Sequence, residues 1–272
     1  MTSSRPSVVV ILAAGEGKRM KSATPKVLHP VAGRSLLGHV IEAASAVEPQ
    51  HLVVVVGHGR DQVVEHVHEI APWALTVVQE AQNGTGHALR IALDDLGARG
   101  IGVTQGPVVV LTGDTPLLTG STLAGLLLEH DATHAAATVL TARLADPAGY
   151  GRIVRDATGS VSAIVEDKDT TDDQRSVDEI NSGMYAFDAD RLTDCLARLT
   201  TDNAQGEEYL TDVVGLLREA GDVVSASMCP DPDEILGVND RVQLAQAAAI
   251  MRDRINGSWI RAGVSILDPT ST

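Results

Sequence analysis

Short runs of β-branched and aliphatic residues recur along the first half of the chain, and between them the apolar positions switch to helical spacing. Residues 8–12, 52–56, 75–78, 108–111 and 136–141 read as strands, and 36–47, 61–70, 87–96 and 121–129 read as helices begun or ended by glycine or a capping residue. The strands are continuously apolar rather than alternating, as strands covered on both faces must be. The pattern predicts an α/β fold with a doubly wound, Rossmann-like, mostly parallel sheet. Ligands of such sheets bind beyond the carboxyl ends of the strands, so the loops after Leu12 and Leu111 are the first places to look for a site.

The second half is less regular. Short strands at 152–155, 161–165 and 184–187 surround an acidic stretch from Asp167 to Glu179 that reads as an exposed loop, so small antiparallel additions to the sheet are expected. Helices at 191–199 and 209–219, a strand at 223–227 and a long Ala- and Gln-rich helix from about 241 to 255 complete the chain.

A chain of 272 residues can bury a sizeable core without disulfides, and its two cysteines, Cys195 and Cys229, read as free thiols in a reducing compartment. A net charge of −15 and only six aromatic residues argue against nucleic acid or an anionic membrane as partner. The longest apolar runs are too short to span a bilayer, and no charged-then-apolar leader is seen, so a cytoplasmic protein is expected.

Against that acidity, base is concentrated in one place. The loop after the first strand reads Leu12-Ala13-Ala14-Gly15-Glu16-Gly17-Lys18-Arg19-Met20, with Pro25-Lys26 following. Its glycines let backbone amides approach an anion and its cations offset charge, which is what a polyphosphate requires. It is neither a Walker A loop nor a dinucleotide fingerprint, and taken alone it reads as a tight turn with solvated lysines. The second constellation is Thr112-Gly113-Asp114 at the end of the 108–111 strand, where a carboxylate facing the same crevice can hold a hard cation such as magnesium, although an aspartate there is also a common turn former. Gln79 and Gly84-Thr85-Gly86-His87 follow another strand and open a helix, offering backbone amides and an amide side chain able to read uracil through both edges. A helix start without function is the alternative there, and His87 reads as an ordinary helix residue.

These motifs, together with Tyr150-Gly151-Arg152, 164–168, Glu179-Ile180-Asn181-Ser182-Gly183, 208–212 and Gly237-Val238-Asn239, resemble the uridylyltransferase half of the bifunctional bacterial enzymes that make UDP-N-acetylglucosamine. The resemblance implies nucleotide contacts from Leu12, Ala13, Ala14, Gly15, Gln79, Gly84 and Thr85, with Lys26 near the phosphates. It implies sugar contacts from Gly151, Glu166 and Asn181, and magnesium held by Asp114 and Asn239, with Thr112 and Gly113 among the substrate-binding positions. Arg19, Lys26 and Asp114 would carry catalysis on UTP and N-acetylglucosamine 1-phosphate. Departures from the family pattern are Lys18, Thr112 and Asp240, the last placing an extra carboxylate beside the metal position. Tyr150 is left without a role, and apart from the resemblance Glu166 and Asn181 read as surface polar residues.

The implied organisation is a nucleotidyltransferase domain at 1–239, a linker helix at 240–257 and, at 258–272, the start of a left-handed β-helix. In the family that β-helix carries acetyl transfer and trimerisation, neither of which is expected of this chain. The rival readings are a glucose 1-phosphate thymidylyl- or uridylyltransferase and a non-catalytic nucleotide-sugar sensor.

Overall fold

The computed structural model describes residues 4–103 and 106–272. The first strand, β1 (Val8–Ala13), lies in the middle of the sheet, and a small hairpin of β2 (Pro30–Val31) and β3 (Arg34–Ser35) leads into α1 (Leu36–Ser45). Then follow β4 (His51–Val56), α2 (Arg60–Ile70), β5 (Leu75–Val78), α3 (Thr85–Ala98), β6 (Val108–Thr112), α4 (Gly120–Thr133) and β7 (Ala137–Arg143). The remainder is β8 (Arg152–Arg155), β9 (Val161–Val165), a single turn α5 (Asp172–Arg175), β10 (Glu179–Phe187), α6 (Ala189–Leu196), α7 (Asp212–Glu219), β11 (Val224–Met228) and α8 (Arg241–Arg261).

The main sheet runs β11-β7-β10-β6-β1-β4-β5, with β8 and β9 attached to β10. β1, β4, β5 and β6 are parallel, and β10 lies antiparallel between β6 and β7. The apolar runs at the centre of the sheet are buried on both faces because helices cover it twice, whereas Val78 on the edge strand stays exposed. Val8, Val10, Val53 and Val55 pack under α3, α6 and α7, whereas Val9, Ile11, Leu52, Val54 and Val56 pack under α1, α2 and α4. From β1 the chain proceeds outward through β4 and β5, then returns to β6 on the other side of β1. That reversal opens a crevice between the carboxyl ends of β1 and β6, where the sequence directs attention.

Three expectations are corrected. The acidic stretch does not stay exposed to its end: β10 begins at Glu179, five residues before the expected start, and Glu179 is buried against Arg155, whose Nη2 and Nε lie 2.6 and 2.8 Å from its carboxylate oxygens. The helix expected from 209 starts at Asp212, leaving Tyr209 and Leu210 as buried residues of the preceding segment. The last helix runs to Arg261, through residues 258–261 expected to open a β-helix, and 262–272 contain no strand. Instead the tail turns back along α8, with the Asn256 amide donating to the carbonyls of Pro269 and Thr272. α8 is anchored by Ala247 against Val31, Leu36, Leu117 and Val238. Among the described residues no helix is long and apolar enough to cross a membrane, and both cysteines are buried free thiols.

Candidate active site

A cavity of about 330 Å³ lies at the crevice, lined by Leu12, Ala13, Ala14, Gly15, Lys26, Gln79, Gln82, Gly84, Thr85, Thr112, Asp114 and Glu207, among others. Its walls come from three strand ends. Gly113 is stitched to β1 by its amide, which donates to the Leu12 carbonyl at 2.9 Å, so the β6 loop lies against the glycine loop. Gly17 takes a left-handed conformation with φ 65°, and a Cβ there would come within 2.6 Å of the Lys26 Cβ. That close crossing folds the basic loop back on itself and delivers Lys26 into the crevice.

The Lys26 ammonium bonds both the Asp114 carboxylate and, at 3.0 Å, Oδ1 of Asn239. The two expected metal ligands are thus brought together from positions far apart in the chain, because the Val238 amide donates to the Asp114 carbonyl at 2.9 Å and docks the 237–239 loop on the end of β6. Two oxygens converging on one cation form a donor set that fits a hard divalent ion, with Lys26 as the cation between them here. Asp240, the departure from the family pattern, is used elsewhere: its Oδ1 caps α8 by accepting from the amides of Val242 and Gln243, both at 2.9 Å. Arg19 is exposed and makes no ion pair among the described residues, whereas Lys18 pairs with Glu16 at 2.8 Å. Tyr150 stands beside this group. Burial raises its phenol above the ordinary value, as does the Asp114 charge, against a bond with the Gly237 backbone.

Gln79 is buried, and its Nε2 donates to the Gly84 carbonyl at 3.1 Å and lies 3.0 Å from Nδ1 of His87. With the amino group held there, Oε1 is the atom left for a ligand, so one edge of the amide is available rather than the two expected. His87, read as a plain helix residue, fixes that orientation. Gly84 has φ 107°, and a Cβ on it would stand 2.4 Å from the Glu208 carbonyl oxygen. The Gly86 amide donates to that same oxygen at 2.9 Å, and the Thr85 hydroxyl accepts from the Leu210 amide at 3.1 Å. Part of the expected ligand-binding capacity of this helix start therefore holds the 208–210 segment, which Arg90 also clamps through both carboxylate oxygens of Glu208 at 2.8 Å.

The expected sugar residues gather on the other side of β6. Gly151 precedes β8, Glu166 follows β9, and Asn181 lies where β10 bulges away from β7, between Asn181 and Tyr185. The Asn181 amide donates to the Gly151 carbonyl at 2.8 Å, and its Oδ1 accepts from the Gly183 amide at 3.0 Å. The bulge brings Gly183 beside Thr112, joining this pocket to the Asp114 loop. Glu166 accepts from the Thr211 hydroxyl at 3.1 Å. Burial raises the Glu166 carboxyl above the ordinary range, and the Asp169, Asp212 and Asp167 charges add to this, outweighing the Thr211 bond. Glu166 and Asn181 are therefore not solvated surface residues. Gln82, whose Nε2 donates to the Ala14 carbonyl at 2.7 Å, and Glu207 were not singled out from the sequence, and Thr211 entered only within the 208–212 motif, since polar residues in loops carry no periodic signal.

A glycine-rich, basic loop after β1 facing a carboxylate after β6 defines a protein built to handle a nucleoside polyphosphate. Residues 9–178 match the MobA-like NTP transferase domain, and the chain belongs to that family of nucleotidyltransferases. It is similar, over 272 residues and all of its length, to the bifunctional protein GlmU of Thermobifida fusca, at 56% identity. To the GlmU protein of Streptomyces avermitilis it is 58% identical over 273 residues, and to that of Corynebacterium efficiens 50% identical over 274. The chain spans 55–56% of the length of these relatives.

Proposed function

We propose that the chain transfers a uridylyl group from UTP to N-acetylglucosamine 1-phosphate, releasing pyrophosphate and forming UDP-N-acetylglucosamine, with magnesium as cofactor. The observation that carries this reading is the convergence of Lys26, Asp114 and Asn239 between the Gln79 cavity on one side and the Gly151, Glu166 and Asn181 pocket on the other. The acceptor phosphate is already largely dianionic near neutral pH, with a second pKa of about 6, so the barrier is anion repulsion rather than want of a base. Lys26 and Arg19 offset that repulsion, and the backbone of the 12–15 loop approaches the nucleotide phosphates. Gln79 Oε1 accepts the N3 hydrogen of uracil. The acidic corner formed by Glu166, Asp169 and Asp212 accepts from sugar hydroxyls and repels phosphate, so the acceptor is oriented with its phosphate toward Lys26. Magnesium bound by Asp114 and Asn239 would supply charge neutralisation at the phosphates.

The test is pyrophosphate release with UTP or dTTP and a panel of sugar 1-phosphates. Highest kcat/KM with UTP and N-acetylglucosamine 1-phosphate is expected. Equal or better use of glucose 1-phosphate or dTTP would favour the rival transferase, and no release with any pair would leave the sensor reading.

A further inference from the structure

The β-ladder that joins the acceptor pocket to the main sheet is short. β8 pairs in register with the main sheet at one residue, Arg152 opposite Ile180 of β10, and Arg152 is at the same time in register with Val165 of β9. Its neighbours along and across the strands are thus the three pocket residues: Gly151 precedes it, Glu166 follows Val165 and Asn181 follows Ile180. The Arg152 side chain is only 3% exposed. Its Nη1 donates to the Tyr150 carbonyl and its Nη2 lies 3.2 Å from Oδ1 of Asp167, so the guanidinium ties the residue before Gly151 to the residue after Glu166. Among the described residues its Nε has no partner, although it is buried. A guanidinium withdrawn from water and incompletely satisfied costs stability that an apolar side chain of similar volume would not. A purely packing role would be better served by methionine or leucine.

We propose that Arg152 is the positioning residue of the acceptor pocket, holding Gly151, Glu166 and Asn181 at fixed separations while touching neither substrate. This rests on the reading of that pocket as the sugar site. Losing the guanidinium lets the β8–β9 hairpin drift from the bulge of β10, which loosens the sugar contacts and leaves the Gln79 cavity, on the far side of β6, unchanged. Asp167 acts through the same tie, and because its side chain is 39% exposed its substitution is tolerated by the fold.

The experiment compares Arg152→Met, Arg152→Lys, Asp167→Asn and the Arg152→Met/Asp167→Asn double variant, with each substrate varied separately. For Arg152→Met the KM for N-acetylglucosamine 1-phosphate is expected to rise about tenfold, with the KM for UTP within about twofold and kcat within about threefold of the parent. Arg152→Lys should recover part of the loss, since an ammonium can pair with Asp167 but cannot also span to the Tyr150 carbonyl. The double variant should be no worse than Arg152→Met, because both changes cut one tie. An unchanged acceptor KM, both KM values rising together, or only a smaller active fraction would overturn the proposal. Should Arg152→Met not fold, Asp167→Asn carries the same test with a rise of about threefold. A parent protein that turns over neither substrate would overturn the sugar-site reading instead. In that case hydrogen exchange decides the structural claim: amides 165–168 and 180–182 must exchange faster in Asp167→Asn than in the parent, with 84–86 unchanged.

Discussion

Replacing Asp114 with alanine removes the carboxylate that faces the Lys26 ammonium, and the structure sets the size of the effect. The two side chains are 12% and 18% exposed, and Asn239 supplies only a neutral oxygen to the ammonium that remains. Breaking a fully buried ion pair from one side costs ~3–5 kcal/mol because a charge is left without a partner. Residual exposure lets water solvate the ammonium in part, which brings the expected loss to about 2 kcal/mol. For a chain of this length that is a fall in Tm of about 3–4 °C, so the protein stays folded at 25 °C. Lys26→Met should cost a similar amount by stranding Asp114. The double variant strands no charge and should regain most of the loss, giving a coupling energy of about 1.5 kcal/mol or more in a urea-denaturation cycle. All three variants should lose at least about two orders of magnitude in pyrophosphate release, because the charge neutralisation at the phosphates is gone. Strict additivity of the two stability losses would refute the pairing, and parental turnover by Asp114→Ala would refute its place in catalysis.

Gly84→Ala should be far more damaging than its size implies, by about 3 kcal/mol or more, because φ is 107° and the new Cβ would meet the Glu208 carbonyl at 2.4 Å. Gly97→Ala, in the last turn of α3 with open space around the added methyl, should instead stabilise by about 0.5 kcal/mol, and thermal melts of the pair would check both signs. Glu166 has a raised carboxyl pKa in the folded state, so the unfolded chain ionises first as pH rises. Its contribution is therefore fully present below the ordinary value of 4.5 and is lost as pH rises through the folded pKa. Glu166→Gln should become progressively more stable than the parent across that window, measured as urea midpoints at pH 4 and 7, and a constant difference would show that the group is not desolvated.

Much of the fold was legible in the chain itself. Uninterrupted β-branched runs specify two-sided burial, glycines and caps mark where helices begin, and a basic loop in an acidic chain stands out wherever it lies, so the parallel half of the sheet and the crevice at the ends of β1 and β6 followed from local pattern. The junction of the site did not. Asp114 and Asn239 lie 88 and 213 residues after Lys26 along the chain, and their meeting depends on the docking of the 237–239 loop onto β6, which no local pattern encodes. The insertion of β10 between β6 and β7, its early start at a buried Glu179 and the bulge that aims Asn181 were likewise decided by pairing with distant strands. A charged residue such as Glu179 reads as exposed because, without knowledge of its partner, solvation favours the surface. Asp240 stood in the sequence as an extra carboxylate beside the expected metal position and is a helix cap in space, since only the backbone geometry around it determines which hydrogen bonds its oxygen makes. The sequence by itself determined which segments are apolar, which loops are basic and where each can turn. The tertiary structure alone decided which polar groups share a dry space, because that depends on long-range contacts whose energies act only once the chain has closed on itself.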